Sequence, residues 1–277
     1  MINDFEQIEP FSDGLAVVKK DKKYGFIDEF GNLVVDLEYD NASSFVNGFG
    51  RVAKNHLYGF IDKAGKIIIP LQYTGAFASE VGLFKVRKGF NDKWGVIDKY
   101  QNTIIPFIYD DIFAFRENLV VAEKDSKYGV IDTTGKVIIP FIYDFTFGFS
   151  EGLASVEKNG KWGVINKLGE MVVPFIYGWI SEFSDGLACI KHKGLYGYID
   201  KAGNVAIPSQ YEQGFIFQEG LAGVQKNDKW GFINTLGEIV IPLMYDEVFG
   251  FENGIAMVCF DDTDEIFKID KTGKHIK

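Results

Sequence analysis

The stretch KWGVINKLGE, Lys161 to Glu170, sets an aromatic residue beside a glycine, adds two apolar residues, and closes on an asparagine with a glycine three positions later. The chain repeats this pattern along its length. The aromatic–glycine pair recurs at Tyr24-Gly25, Tyr58-Gly59, Trp94-Gly95, Tyr128-Gly129, Trp162-Gly163, Tyr196-Gly197 and Trp230-Gly231. The intervals are 34, 36, 34, 34, 34 and 34 residues. A degenerate eighth copy, 36 residues further on, has Ile266-Phe267 in place of the pair and keeps Ile269, Asp270 and Gly273 in register. A fixed period of this size marks a repeat architecture, because a unit so small buries its apolar face only against its neighbours. No linker or change of composition interrupts the series. The spacing therefore predicts a single repeat domain over residues 1–277, with eight units.

Working outward from Trp162, each part of the unit has a physical reading. GLASVEK, Gly152 to Lys158, alternates as a strand, with Ala154 and Val156 on one face. Asn159-Gly160 follows, the preferred centre of a two-residue hairpin whose central positions both need positive φ. KWGVINK carries apolar residues on both faces, which predicts a strand covered on both sides. Gly163 weakens that strand, so its recurrence implies a neighbouring backbone or ring at close approach. The Asn166-to-Gly169 spacing, repeated as Asp28-to-Gly31 and Asp132-to-Gly135, fits a three-residue hairpin with glycine in the left-handed position. A third strand such as KVIIP is expected to end at its proline, since proline lacks the N–H donor. A tail such as FIYDDIFAF then supplies a short fourth strand or a bend.

Composition agrees with an all-β chain: 26 Phe, 13 Tyr, 4 Trp and 31 Gly in 277 residues. The formal net charge of −10, without a basic block, argues against a nucleic-acid partner and against an anionic membrane surface. No apolar run is long enough to form a signal peptide or a spanning helix, and two cysteines form no disulfide framework; a cytoplasmic location is expected.

Motifs for chemistry are sparse. His56, His192 and His275 form no metal-ligand spacing, and His56 and His192 fall at expected hairpin tips. The repeated Asp-x-x-Gly reads as a turn, not a calcium loop. The acidic DDTDE, Asp261 to Glu265, reads as a surface hairpin, and Cys189 and Cys259 as structural thiols. No metal, cofactor or catalytic residue is expected.

The assembled repeat resembles the bacterial WG-repeat (KWG-repeat) family. The resemblance rests on KWGVI at Lys93–Ile97 and Lys161–Ile165, KWGFI at Lys229–Ile233, and the flanking GLASVEK, GKVIIP and YD elements, over nearly the entire chain. It implies a binding or scaffold module without shared catalytic residues. Two architectures compete. A 34-residue unit is short for a propeller blade. The phase of the termini nevertheless favours a propeller-like closed ring over an open β-solenoid, since FEQIEPFSDG matches the tail of a repeat and KTGKHIK stops after the start of a third strand.

Two sets of positions are candidates for recognition, one variable among the copies and one regular. The slot of Ser155 holds Val17, Arg51, Lys85, Val121, Cys189, Gly223 and Met257 in the other copies. The tail supplies Tyr-Asp pairs such as Tyr109-Asp110, with Trp179 in the corresponding tail of a later unit. Arg51, Lys85, Tyr109, Asp110 and Trp179 are the candidate binding residues. The expected function is non-enzymatic recognition of a protein or peptide. A carbohydrate-binding module is the alternative, and an enzyme assembled across repeats a further one.

Overall fold

The computed structural model describes residues 4–116, 118–260 and 265–276. They form eight four-stranded antiparallel sheets, spanning 7–39, 41–73, 75–109, 111–143, 145–177, 179–211, 213–245 and 247–276. In each sheet the strands pair in chain order. The chain divides into two compact units, 1–126 with 131–137 and 127–130 with 138–277.

The hairpins form as their residues require. Asn159 and Gly160 have φ of 53° and 71°, and the same double positive φ recurs at Asp21-Lys22, Asn55-His56 and Asn227-Asp228. In the next connection the Asp28 carboxylate accepts the N–H groups of Phe30 and Asn32 at 3.0 and 2.8 Å. Gly31 takes the left-handed position at φ 82°. In the third sheet Gln101 holds that position at φ 68°. The acidic stretch at 261–264 lies outside the described residues.

Proline does not end the last strand. Ile67–Tyr73 runs through Pro70, and Met171–Tyr177 through Pro174. In the second sheet Tyr58 pairs with Tyr73, but Phe60 pairs with Ile69, so the proline segment bulges out of the ladder opposite Gly59. A bulge tolerates proline because its N–H is not needed for pairing. The bulge also explains the glycine. A Cβ on Gly59 would stand 2.4 Å from the Ile69 carbonyl oxygen and 2.8 Å from the Pro70 carbonyl carbon. The first sheet has Asp36 at the proline position and the same bulge, with the Val35 oxygen 2.4 Å from a Cβ on Gly25. The same register shift recurs in the third, fifth, sixth and seventh sheets, so the bulge is shared by these units and proline is one residue that fits it.

The tail divides differently from its sequence reading. FIY completes the fourth strand of one sheet, and the residues after the acidic position open the next sheet. That phase corrects the closed, propeller-like ring. Gln7–Ile8 pairs with Leu15–Lys20 in the first sheet, and His275–Ile276 pairs with Ile266–Asp270 in the eighth. Each terminal strand completes its own sheet. The eight sheets stay separate and are not closed into a barrel or propeller, and the incomplete phase at the two ends came from counting repeats from the wrong strand.

Core clusters lie between consecutive sheets. One joins Phe26 and Val35 of the first sheet to Phe45 and Val52 of the second; another joins Trp162 and Val173 of the fifth to Ile180 and Ala188 of the sixth. This packing buries both faces of the second and third strands, as their two-sided apolar pattern requires. Polar contacts add to it. The Asp144 carboxylate pairs with Lys127 of its own repeat's aromatic–glycine motif and accepts the N–H of Asn159, at the hairpin tip of the next sheet, at 2.6 Å. Asp40 joins Lys23 and Asn55 in the same way, and Asp110 joins Lys93 and Asp125. In the connecting loops Asp13 accepts the Gly48 N–H and Asp185 the Gly220 N–H, both at 2.7 Å.

Candidate functional site

The first strand of each sheet has a free edge, which proteins commonly blunt by irregular pairing. Here Asp111–Arg116, Phe145–Ser150 and Trp179–Ser184 all carry register shifts against their partners. Four positions after the last tyrosine of the preceding sheet, five of these segments present a phenylalanine to solvent: Phe77, Phe113, Phe147, Phe215 and Phe249, each 39–50% exposed. Such partial exposure at one repeated position is a surface feature of the unit, not scattered chance. The three motif tryptophans buttress this series from below. Trp94, Trp162 and Trp230 are buried and lie 5.9, 5.4 and 4.7 Å from Phe77, Phe147 and Phe215, ring centre to centre.

The variable slot read from the sequence stands across the ladder from Phe77, Phe215 and Phe249. Lys85 pairs with Phe77, and Arg51 pairs with Ser43, at the corresponding position of the second sheet. The Phe215 and Phe249 N–H groups bond to the carbonyls of Gly223 and Met257. The slot is not uniformly solvated: Val17, Ser155 and Cys189 are buried, and Met257 is exposed.

In the first compact unit the two features converge on a cleft of about 620 Å³, lined by Val46, Phe77, Lys85, Ile112, Phe113 and Phe115, with Ala78, Ser79 and Glu80 at its side. Rings and cations alternate beside it. Arg51 lies 5.3 Å from the Tyr58 ring centre and 5.2 Å from that of Phe77. Lys85 lies 5.5 Å from Phe77 and 4.2 Å from Trp94, and Arg87 lies 4.7 Å from Trp94. Contacts of this kind hold a cation against an aromatic face even where water is reduced. Lys85 also pairs with Asp111. Arg51 donates to the Ala76 carbonyl at 3.1 Å and to the Ser43 hydroxyl at 2.6 Å, and makes no ion pair among the described residues. Burial lowers the Arg51 pKa from its usual value, but a guanidinium remains charged. The Nε atoms of Arg51 and Arg87 are buried without an acceptor.

Of the five residues singled out in the sequence, Arg51 and Lys85 come together over Phe77. Tyr109 is buried and pairs with Trp94, and burial raises its pKa. The Lys93 ammonium and the Asp125 N–H hold the Asp110 carboxyl below the usual range. Trp179 belongs to the second compact unit, where it meets Tyr196 edge-on at 6.3 Å. The phenylalanine series is absent from the sequence reading, although its signal is present there as a Phe four positions after the tail tyrosine.

The second unit holds a cleft of similar form and different charge, about 550 Å³, lined by Phe215, Trp230, Val248, Phe249 and Gly250 with Asp246 and Glu247. The histidines serve local packing: His56 sits at a hairpin tip, His192 ends a strand against Tyr177, and His275 meets Phe267. Cys189 is buried, with its thiol 3.5 Å from the Gly214 carbonyl oxygen, and neither cysteine forms a disulfide. Among the described residues no cluster of three metal-ligating side chains occurs, and no helix is long and apolar enough to cross a membrane.

A family description, the WG containing repeat, matches the chain at residues 4–24, 24–57, 58–93, 94–128, 128–162, 162–196, 196–230 and 230–263. No curated protein matches the sequence. Among solved structures, a eukaryotic initiation factor is similar with a TM-score of 0.56 at 10% identity, covering 99% of this chain and 89% of that one. The dihydro-heme d1 dehydrogenase NirN has a TM-score of 0.44 at 13% identity, over 95% of this chain and 72% of its own. Hsv2 of Kluyvelomyces marxianus has 0.44 at 9% identity, over 96% and 92%. At these identities the first likeness speaks to fold alone.

Proposed function

The chain belongs to the WG containing repeat family, and from that premise we propose that it binds a protein or peptide partner along the exposed phenylalanines of its first strands. It is a non-enzymatic repeat protein of the binding and scaffold class. The observation that carries the finer reading is the coupling of two features in one place. A half-exposed phenylalanine recurs from sheet to sheet, and across the ladder from it stands the slot whose chemistry changes from copy to copy. A constant apolar anchor beside a variable neighbour suits multipoint recognition, in which a few rings supply affinity and their surroundings supply choice. We propose likewise that the eight sheets act as one repeat domain in the cytoplasm.

Carbohydrate remains the second reading because exposed rings also stack on sugars. The cleft of the first unit favours peptide, because its lining is chiefly apolar side chains with few polar groups to meet hydroxyls. Parallel probing of a protein array and a glycan array tests both. Wild type is compared with the Phe77→Ser/Phe113→Ser and Phe215→Ser/Phe249→Ser variants. Protein signals lost in one or both variants are the expected result. Glycan signals lost in the same variants would replace the peptide reading with carbohydrate, and signals untouched by either pair would remove the phenylalanine surface from consideration.

A further inference from the structure

The chain has only three arginines, Arg51, Arg87 and Arg116, and all lie in the second, third and fourth sheets. The rest of its positive charge is lysine, in a protein of formal net charge −10. Arginine presents a planar fork that matches a carboxylate through two parallel hydrogen bonds. Its confinement to three consecutive sheets therefore marks one region by chemistry as well as by charge.

Arg51 and Arg87 both lack an ion pair among the described residues, and Arg51 is the one that lies against Phe77. The partners of Arg51 are a carbonyl, a hydroxyl and two aromatic rings, all neutral. A part-buried guanidinium held this way has given up water without gaining a counter-ion, which is costly unless an anion arrives. Lys85, by contrast, is neutralised by Asp111, and Glu80 stands at the side of the cleft. Arg51 lies against the ring of Phe77, and Phe77 lines the cleft, so one ring joins the uncompensated cation to the apolar space.

We propose that this cleft binds acidic peptide segments, with a large apolar side chain seated between Phe77 and Phe113 and a carboxylate on the Arg51 guanidinium. The proposal rests on the peptide-binding reading above and adds the partner's chemistry. The acidic cleft of the second unit, with Asp246 and Glu247 beside Phe215 and Phe249, is the internal contrast: similar rings without the cation.

The test is selection from a random dodecapeptide phage library on the full chain, followed by fluorescence anisotropy of the enriched peptides. Enriched sequences should join Asp or Glu to a large apolar residue. Their binding should weaken roughly tenfold or more in Arg51→Gln, the loss of a hydrogen bond between charged groups. Arg51→Lys should recover only part of it, and binding should fall with added salt. Phe215→Ser/Phe249→Ser should leave these peptides bound. Thermal melting of each variant separates loss of binding from loss of fold, and Arg51→Lys keeps the charge should Arg51→Gln melt early. Enrichment of neutral or basic peptides, or indifference of acidic ones to both Arg51 variants, would overturn the acidic partner. If such peptides were still lost in Phe77→Ser/Phe113→Ser, the broader peptide reading would stand. Enrichment of no peptide would overturn the proposal outright.

Discussion

Replacing Gly59 by alanine tests the reason for the aromatic–glycine motif. The new Cβ would meet the Ile69 oxygen at 2.4 Å, the Pro70 carbonyl carbon at 2.8 Å and the Leu71 nitrogen at 2.9 Å. Ordinary contact begins near 3.4 Å, so the bulged strand must retreat by about 1 Å, and none of the three atoms belongs to a side chain that could turn away. Overpacking of this kind costs about 1–3 kcal/mol, and disturbing the adjacent Phe60–Ile69 pairing adds about 1 kcal/mol. Alanine returns roughly 0.5–1 kcal/mol by restricting the unfolded chain. The net loss is about 1–3.5 kcal/mol. Gly95 supplies the control, because the atoms nearest its Cβ would be ring carbons of Phe107, at 2.7–2.9 Å, and that part-exposed ring can swing aside. Urea denaturation gives the size of each effect. Amide exchange on Leu57–Ile61 and Ile67–Tyr73 places it, since loosening in a repeat protein is local before it is global. Equal stability of Gly59→Ala and wild type, or a larger loss from Gly95→Ala, would refute the bulge as the reason for the glycine.

Three further outcomes are expected. Gln101→Gly should stabilise by about 0.5–1 kcal/mol in the same denaturation assay, because it relieves a left-handed residue at the cost of backbone entropy; a loss would show that the Gln101 side chain matters more than its φ. The carboxyls of Asp40, Asp110 and Asp144 are held below their usual range, chiefly by hydrogen bonds from Lys23, Lys93 and Lys127. A carboxyl depressed on folding contributes stability above its unfolded value of 3.8, and this is lost as pH falls through the lower folded value. The urea midpoint of wild type should thus drop more between pH 7 and pH 3 than that of Asp40→Asn/Asp144→Asn, and identical drops would contradict the assignment. Burial pushes the Cys189 thiol up to about 12, so it should resist a thiol reagent at pH 8 until the protein unfolds; rapid labelling of the native protein at Cys189 would contradict its burial.

The repeat itself was legible from spacing, and so were its turns, because Asn-Gly and Asp-x-x-Gly satisfy backbone requirements that act over four residues. The need for clearance at Gly163 was legible too, though not its cause, since the bulge that fills the space lies ten residues downstream. Pro174 misled because a missing donor ends a strand only where the ladder needs that donor, and a bulge does not. Closure was beyond reach, because the ends of the chain show the phase of a repeat but not which strand begins a sheet. Arg51 and Lys85 stood out by varying among their equivalents. The phenylalanines were hidden by their recurrence: an aromatic residue repeated in five copies looks like core, and only solvent exposure separates Phe113 from buried Tyr109.

The offset between the family's repeat and the sheet bears on how such chains change length. A segment copied from one motif aromatic to the next, 162–196 for instance, carries the last two strands of one sheet and the first two of the following one. It also carries the whole junction between them, with its Tyr, its linking turn and its exposed first-strand edge. A tandem duplication in this frame inserts two half-sheets whose missing halves are supplied on either side by the flanking copies. No new seam has to evolve, since every seam in the lengthened chain is one that already existed. Copy number can therefore drift by whole units under recombination, while the residue opposite each phenylalanine diverges on its own.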